Sequence, residues 1–118
     1  SFNEIPILTD DDKKDMEDLE VAVGEVTKQL NSYRIDLAAD TAYHYVWHTF
    51  ADIIIEKSKN DLKGDDLNRK AVVEWKLYTI LIASLKLLHP FMPFVTEEIW
   101  THLPHKESDL LMVASWPK

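Results

Sequence analysis

The chain has 118 residues, 46% of them apolar and 29% charged, with two glycines, no cysteine and a net charge of −8. That size fits one domain able to bury roughly two thirds of its unfolded surface. So few glycines argue against a β protein built on tight turns and against a glycine-rich phosphate loop. The lack of cysteine excludes disulfides and thiolate metal sites and suits a reducing cytosol.

The longest apolar run, Leu77 to Leu85, is bracketed by Lys76 and Lys86 and falls short of the ~20 residues that span a bilayer. The chain opens on Ser1 with no basic-then-apolar leader, and we read it as a piece of a longer protein. Charge is unevenly spread. Residues 1–25 hold nine acids (Glu4, Asp10, Asp11, Asp12, Asp15, Glu17, Asp18, Glu20, Glu25) against Lys13 and Lys14, a balance of −7. Residues 26–86 hold nine bases against eight acids, or +1. A local RNA-binding face is compatible with that balance, beside a solvated, acidic first helix.

Ser1 to Leu8 has no helical period and reads as an arm. Thr9 and Asp12 have capping-box-like spacing, and the acids that follow suit the positive end of a helix dipole. Met16, Leu19, Val23, Val26, Leu30 and Tyr33 then recur at three- and four-residue steps, which predicts a first helix with a narrow bundle seam. Asn31, Ser32 and Asp36 mark a turn near Tyr33–Arg34.

A second helix is predicted from about Leu37 to Lys59, with a core face of Ala39, Tyr43, Val46, Phe50 and Ile53/Ile54. Asn60 to Leu67 reads as a loop. Asn68 to Leu88 is apolar nearly all round in its second half, as a helix at the centre of a bundle would be. His89 precedes Pro90 and is biased away from helical conformation, while Pro93 suits the first position of a fourth helix running to about Leu103. The apolar corner that the two prolines force, from Leu87 to Trp100, is expected to be buried. Leu110 to Pro117 reads as an extended tail within a 104–118 terminal segment. The predicted fold is all-α, an antiparallel four-helix bundle with a short extended C-terminal tail, in one domain over 1–118.

Asp40, His44, His48, Asp52 and Glu56 repeat every four residues and form one slanting polar row. Histidines four apart can share a metal, but Tyr45 stands where a zinc-protease helix carries glutamate, and no Glu-x-x-His pair exists for a di-iron core. A solvated face and an RNA-facing row are the remaining readings. Trp47 and Tyr45 fall off the core stripe, so at least one of them is expected to be partly exposed; packing against the fourth helix or the tail and a stacking surface for nucleotides are the two readings of these rings. Lys57, Lys59, Lys63, Arg69, Lys70 and Lys76 cluster around the 60–67 loop beside Asp61, Asp65, Asp66 and Glu74, and read as ordinary surface charge. Arg34 stands apart from them and could reach a phosphate or a loop base. Glu97 and Glu98 are adjacent and point about 100° apart on a helix, so they cannot share a site. No nucleophile elbow is present. The chain by itself carries no recognisable catalytic site.

Three separated segments resemble one family in the same order. Tyr33-Arg34-Ile35-Asp36-Leu37-Ala38-Ala39 is similar to a YRFD-x-A turn. The run from Tyr43 to Asp52 with Glu56-Lys57-Ser58-Lys59 is similar to a YxFxWxxFCDWYIExSK helix. Leu87 to Trp100, LLHPFMPFVTEEIW, is the most specific match, and Ser115-Trp116-Pro117 resembles a closing APWP. These resemble the anticodon-binding helical domain of class I aminoacyl-tRNA synthetases in the valyl, leucyl and isoleucyl group, the valyl members most. The resemblance implies a helical bundle that binds the anticodon stem-loop of tRNA and docks the catalytic domain of a cytoplasmic parent. That parent would use ATP to charge tRNA. No cofactor or metal is implied for this segment, and neither a membrane nor DNA as partner. Arg34, His44, Trp47, His48, Lys57 and Lys59 are the residues we expect to meet tRNA.

Two departures stand out. Ala51-Asp52-Ile53-Ile54 replaces the family's Cys-Asp-Trp-Tyr, and the NKLWNxxRF pattern of an earlier helix is absent; the nucleotide-binding HIGH and KMSKS motifs of the parent are expected upstream. A leucyl or isoleucyl domain, or a helical packing module without RNA binding, are the alternatives.

Overall fold

The computed structural model describes residues 7–104, Leu111, Trp116 and Pro117, and the described residues form helices and no strand. Helix α1 spans Asp10–Asn31. A single rod follows: α2 (Ile35–His44), a π-helical segment (Tyr45–Ile55) and α3 (Glu56–Lys63). Helix α4 (Leu67–Leu88) and the short α5 (Pro93–Thr101) complete the order. The expected arm over 1–8 and tail over 104–118 fall largely outside the described residues.

Helix α1 starts where the sequence says it should. Thr9 Oγ1 accepts from the Asp12 N–H, and Asp12 Oδ2 accepts from the Thr9 N–H, both at 3.1 Å, a reciprocal capping box. Its seam buries Leu19, Ala22, Val23 and Val26, with Met16 and Leu30 partly buried beside them. Tyr33 does not extend that seam, because it lies beyond the helix and is 89% exposed.

The rod departs most from the predicted pattern. Its buried apolar residues are Ala38, Ala42, Tyr45, Phe50 and Ile54, whereas Tyr43 and Ile53, expected in the core, are exposed. The five-residue step from Tyr45 to Phe50 would put them about 140° apart on an α-helix. Widening the turn to i→i+5 bonding brings them back to one face. The bulky run from Val46 to Ile55 thus takes a register that a 3.6-residue template does not anticipate.

The 60–67 loop is shorter than expected. Asn60 to Lys63 stay helical, with Lys63 at the negative end of α3, and Gly64 stops the helix in extended conformation. Asp66 then caps α4 by accepting from the Arg69 N–H at 3.1 Å. Helix α4 is central: it packs against α1, all three parts of the rod, and α5.

The corner between α4 and α5 is only partly as expected. Pro93 opens α5 at its first turn, and Trp100 is fully buried with Leu85 and Leu111. Yet His89 keeps helical torsions (φ −53°, ψ −43°), donating its N–H to the Leu85 carbonyl at 2.9 Å, so the bias imposed by Pro90 is overridden. Its ring Nδ1 lies 2.9 Å from Thr96 Oγ1, tying the two helices together. The corner is not buried throughout. Phe94 is 91% exposed, and Val95 and Ile99 are also exposed.

Candidate functional site

The turn between α1 and the rod is built on backbone hydrogen bonds. Arg34 N–H donates to the Gln29 carbonyl at 2.8 Å and Tyr33 N–H to the Leu30 carbonyl at 3.0 Å, the paired bonds of a Schellman ending. The left-handed position in such a motif usually belongs to glycine. Here it belongs to Tyr33, at φ 61°, with its ring in solvent. Arg34 is exposed next to it, and its Nε lies 3.7 Å from Asp36.

Beyond the turn, the outer face of the rod presents aromatic rings. Tyr43 and Trp47 stack with centroids 4.3 Å apart and planes 9° apart, and each is 46% exposed. Of Trp47 and Tyr45, of which at least one was expected at the surface, Trp47 is the exposed one; Tyr45 is buried, and Tyr43, expected in the core, is exposed. Burial, reinforced by nearby Asp18 and Asp15, pushes the Tyr45 phenol well above the usual tyrosine range. His44 and His48 lie in the next row, their rings edge-to-face at 4.9 Å, and His48 Nδ1 lies 3.3 Å from Asp52 Oδ2. Among the described residues no set of three histidines or carboxylates is arranged to hold a metal ion. Below the rod, against α1, Asp18, Val21, Glu25, Thr41, His44 and Thr49 line a shallow cleft of about 280 Å³.

The cations divide sharply by role. Lys57 Nζ lies 2.7 Å from Asp15 and 3.0 Å from Asp11, and Lys76 Nζ lies 2.8 Å from both Asp12 and Asp15. Arg69 binds Asp12 through both terminal nitrogens and reaches Asp61 at 3.3 Å. Asp12, Asp15 and Lys76 are buried. The first helix is therefore not simply a solvated acidic face, and Lys57, Arg69 and Lys76 are not ordinary surface charge. Burial by itself would raise the Asp12 pKa, but hydrogen bonds from Arg69, Lys76 and the Thr9 N–H hold its carboxyl far below the usual carboxylate range. For Lys57, burial favours the neutral amine, and the Asp15 and Asp11 carboxylates outweigh it.

The six expected contact residues thus fall into three groups. His44, Trp47 and His48 share the outer rod with Tyr43. Arg34 stands at its start beside Tyr33. Lys57 is engaged with α1, and Lys59 is exposed with its Nζ 2.8 Å from Glu56. Sequence reasoning passed over Tyr43 because a regular helical stripe placed it in the core. It passed over Tyr33 because nothing in Asn-Ser-Tyr-Arg requires a left-handed residue at the tyrosine.

An exposed aromatic row on an all-helical domain, with an arginine at a strained turn, is the setting in which the comparison with known proteins falls. The family profile of the anticodon-binding domain of tRNA ligase matches residues 12–118, and the chain belongs to that family. It is 52% identical to a valine–tRNA ligase of Syntrophotalea carbinolica over 80 residues, 68% of this chain and 9% of the relative. It is 44% identical to that of Clostridium perfringens over 80% of this chain and 11% of the relative, and 41% identical to that of Thermotoga maritima over 99% of this chain and 13% of the relative. The chain therefore spans about a tenth of the length of the curated relatives it matches.

Proposed function

We propose that this chain is the anticodon-binding domain of a valine–tRNA ligase and holds the anticodon stem-loop of tRNA. ATP-dependent attachment of the amino acid takes place elsewhere in the parent, against whose catalytic domain this domain docks, in the cytoplasm. The helices are read as one domain, an antiparallel four-helix bundle: the start of α1, the end of the rod and the start of α4 are held together by the buried ion pairs. The observation that carries the RNA reading is the exposed Tyr43–Trp47 stack, flanked by His44 and His48, in a chain of this family. Unpaired bases stack on such rings, and Arg34, exposed and in only a long ion pair with Asp36, is offered as a phosphate contact at the start of the rod. Tyr33 supports it as well, since an exposed ring kept in a strained backbone position contributes nothing to the core. Lys59 is a peripheral phosphate contact, and Lys57 is better spent on α1.

The names of the relatives favour a valyl over a leucyl or isoleucyl identity. The second reading, a packing module without RNA binding, draws on the exposed Phe94, Val95 and Ile99 of α5. Titration of the chain with a valine anticodon hairpin and a scrambled hairpin separates them. The RNA reading expects salt-dependent binding that prefers the valine hairpin. Absence of binding to either at high micromolar protein, with self-association in sedimentation, would favour the packing module.

A further inference from the structure

We infer that the cleft between α1 and the start of the rod binds a linear polyamine, with Asp18 and Glu25 taking its end ammonium groups and Tyr45 lying beneath its methylene chain. The inference goes beyond the anticodon-binding reading, and its test contains no RNA. The cleft has a volume of about 280 Å³. Asp18 and Glu25 are seven residues apart on α1, so they share a face and stand about 10 Å apart along the axis. That is too far to share one metal ion, whose oxygen ligands lie within about 2.0–2.6 Å. An extended triamine of the spermidine type reaches both carboxylates. Between them the lining is Val21, Ala22 and Tyr45, which suits methylene groups. Across the cleft, Thr41 is as far from the 32–34 turn as Glu25 is, and Thr49 nearly as far as Asp18. Each end thus joins a carboxylate to a hydroxyl. Thr41 Oγ1 donates to the Leu37 carbonyl at 3.0 Å and keeps its lone pairs for an ammonium N–H.

The polar groups of the cleft lack the partner that a cation would supply. Asp18 and Glu25 make no ion pair among the described residues, whereas Asp11, Asp12 and Asp15 on the same helix are each bound to a lysine or arginine. Tyr45 is an independent sign of a ligand. It lines the cleft at 4% exposure, and its hydroxyl is buried without a hydrogen-bond partner. A buried hydroxyl left unpaired is destabilising, so a donor and acceptor placed there would be welcome. Burial and the nearby Asp18 carboxylate keep the phenol protonated. Its oxygen can then accept from an ammonium while its proton turns to a carboxylate. The ring face adds attraction for a cation above it. The surrounding field has the right sign as well, since residues 1–25 carry −7 and concentrate cations on this side.

The test is calorimetric titration of the native chain with spermidine, putrescine and butylamine at matched ionic strength, with circular dichroism checking that each variant folds. The native chain should bind one spermidine, about tenfold more tightly than butylamine, because the second ammonium binds as part of the same molecule. Putrescine, too short to bridge the acids, should behave like butylamine. Asp18→Asn and Glu25→Gln should each weaken spermidine about tenfold, the scale of one charge-assisted hydrogen bond. Glu17→Gln, which alters an exposed acid of α1 outside the cleft, should change nothing. Tyr45→Phe should keep or raise the urea midpoint without ligand and weaken spermidine about threefold. Equal losses in Asp18→Asn and Glu17→Gln, or several weakly held spermidines per chain, would reduce the effect to diffuse attraction by the net charge and overturn the site. Equal affinity for spermidine and butylamine would assign the cleft to a lone ammonium, such as a lysine side chain, and also overturn it. So would the absence of heat at millimolar spermidine. None of these outcomes bears on the hairpin titration, so the two readings fail separately.

Discussion

At Tyr33 the chain places a β-carbon where the backbone favours glycine, and the ring it adds is almost fully in solvent. A left-handed non-glycine residue costs about 1–2 kcal/mol, and no buried contact offsets it here. Tyr33→Gly should therefore raise stability by about 0.5–1 kcal/mol, less than the strain removed because glycine also gains freedom in the unfolded chain. Urea unfolding at neutral pH reads this directly, through a higher midpoint at unchanged slope. A fall in hairpin affinity in the same variant would place Tyr33 in the RNA contact. A lower midpoint would mean that the ring packs in solution after all.

At the scale of elements, α1 is attached in two different ways. Its second half packs through Leu19, Ala22, Val23 and Val26, an apolar seam. Its first half is attached through Asp12 and Asp15 to Lys57 on α3 and to Arg69 and Lys76 on α4. Such a buried network contributes little net stability relative to apolar packing, because its charges had to leave water. Removing one partner is another matter. Lys76→Met should leave two buried carboxylates short of a cation and cost about 3–5 kcal/mol, measured by urea unfolding. Lys59→Met, which breaks only the exposed pair with Glu56, should leave the midpoint unchanged.

For the whole molecule, the same charges set a pH window. The carboxyl of Asp12 is held below its ordinary 3.8 in the folded chain, and Asp11 is lowered chiefly by its hydrogen bond to Lys57. Their stabilisation is present above about pH 5 and is lost as pH falls through the folded pKa values, because the unfolded chain takes up protons first. Lys57 is raised above 10.5 by Asp15 and Asp11 against the effect of burial, and Tyr45 above 10.0 by burial. Both contributions are present below those values and lost as pH rises through the folded pKa. Thermal melts from pH 2 to 11 should show a plateau between about pH 5 and 10 with a decline on each side. A melting temperature that stays level from pH 6 down to pH 2 would show that the network does not hold α1 in solution.

Local chemistry in the sequence determined the capping box at Thr9, the seam from Leu19 to Val26 and the helix start at Pro93. Each of these depends on residues within a turn or two of one another, so spacing alone was enough. The family was legible for a similar reason, in short contiguous strings such as LLHPFMPFVTEEIW. Only the tertiary structure decided which charges are buried. Asp12 and Lys76 are 64 residues apart, and nothing in either neighbourhood marks them as partners. It also decided which aromatics face solvent: α2 buries Ala38, Ala42 and then Tyr45, which leaves Tyr43 outside, and the π-helical turn after Tyr45 brings Phe50 back to the buried face. A hydrophobic period read at 3.6 residues per turn cannot detect a turn that packing has widened, and it cannot tell which of two stripes one residue apart will meet α1 and α4.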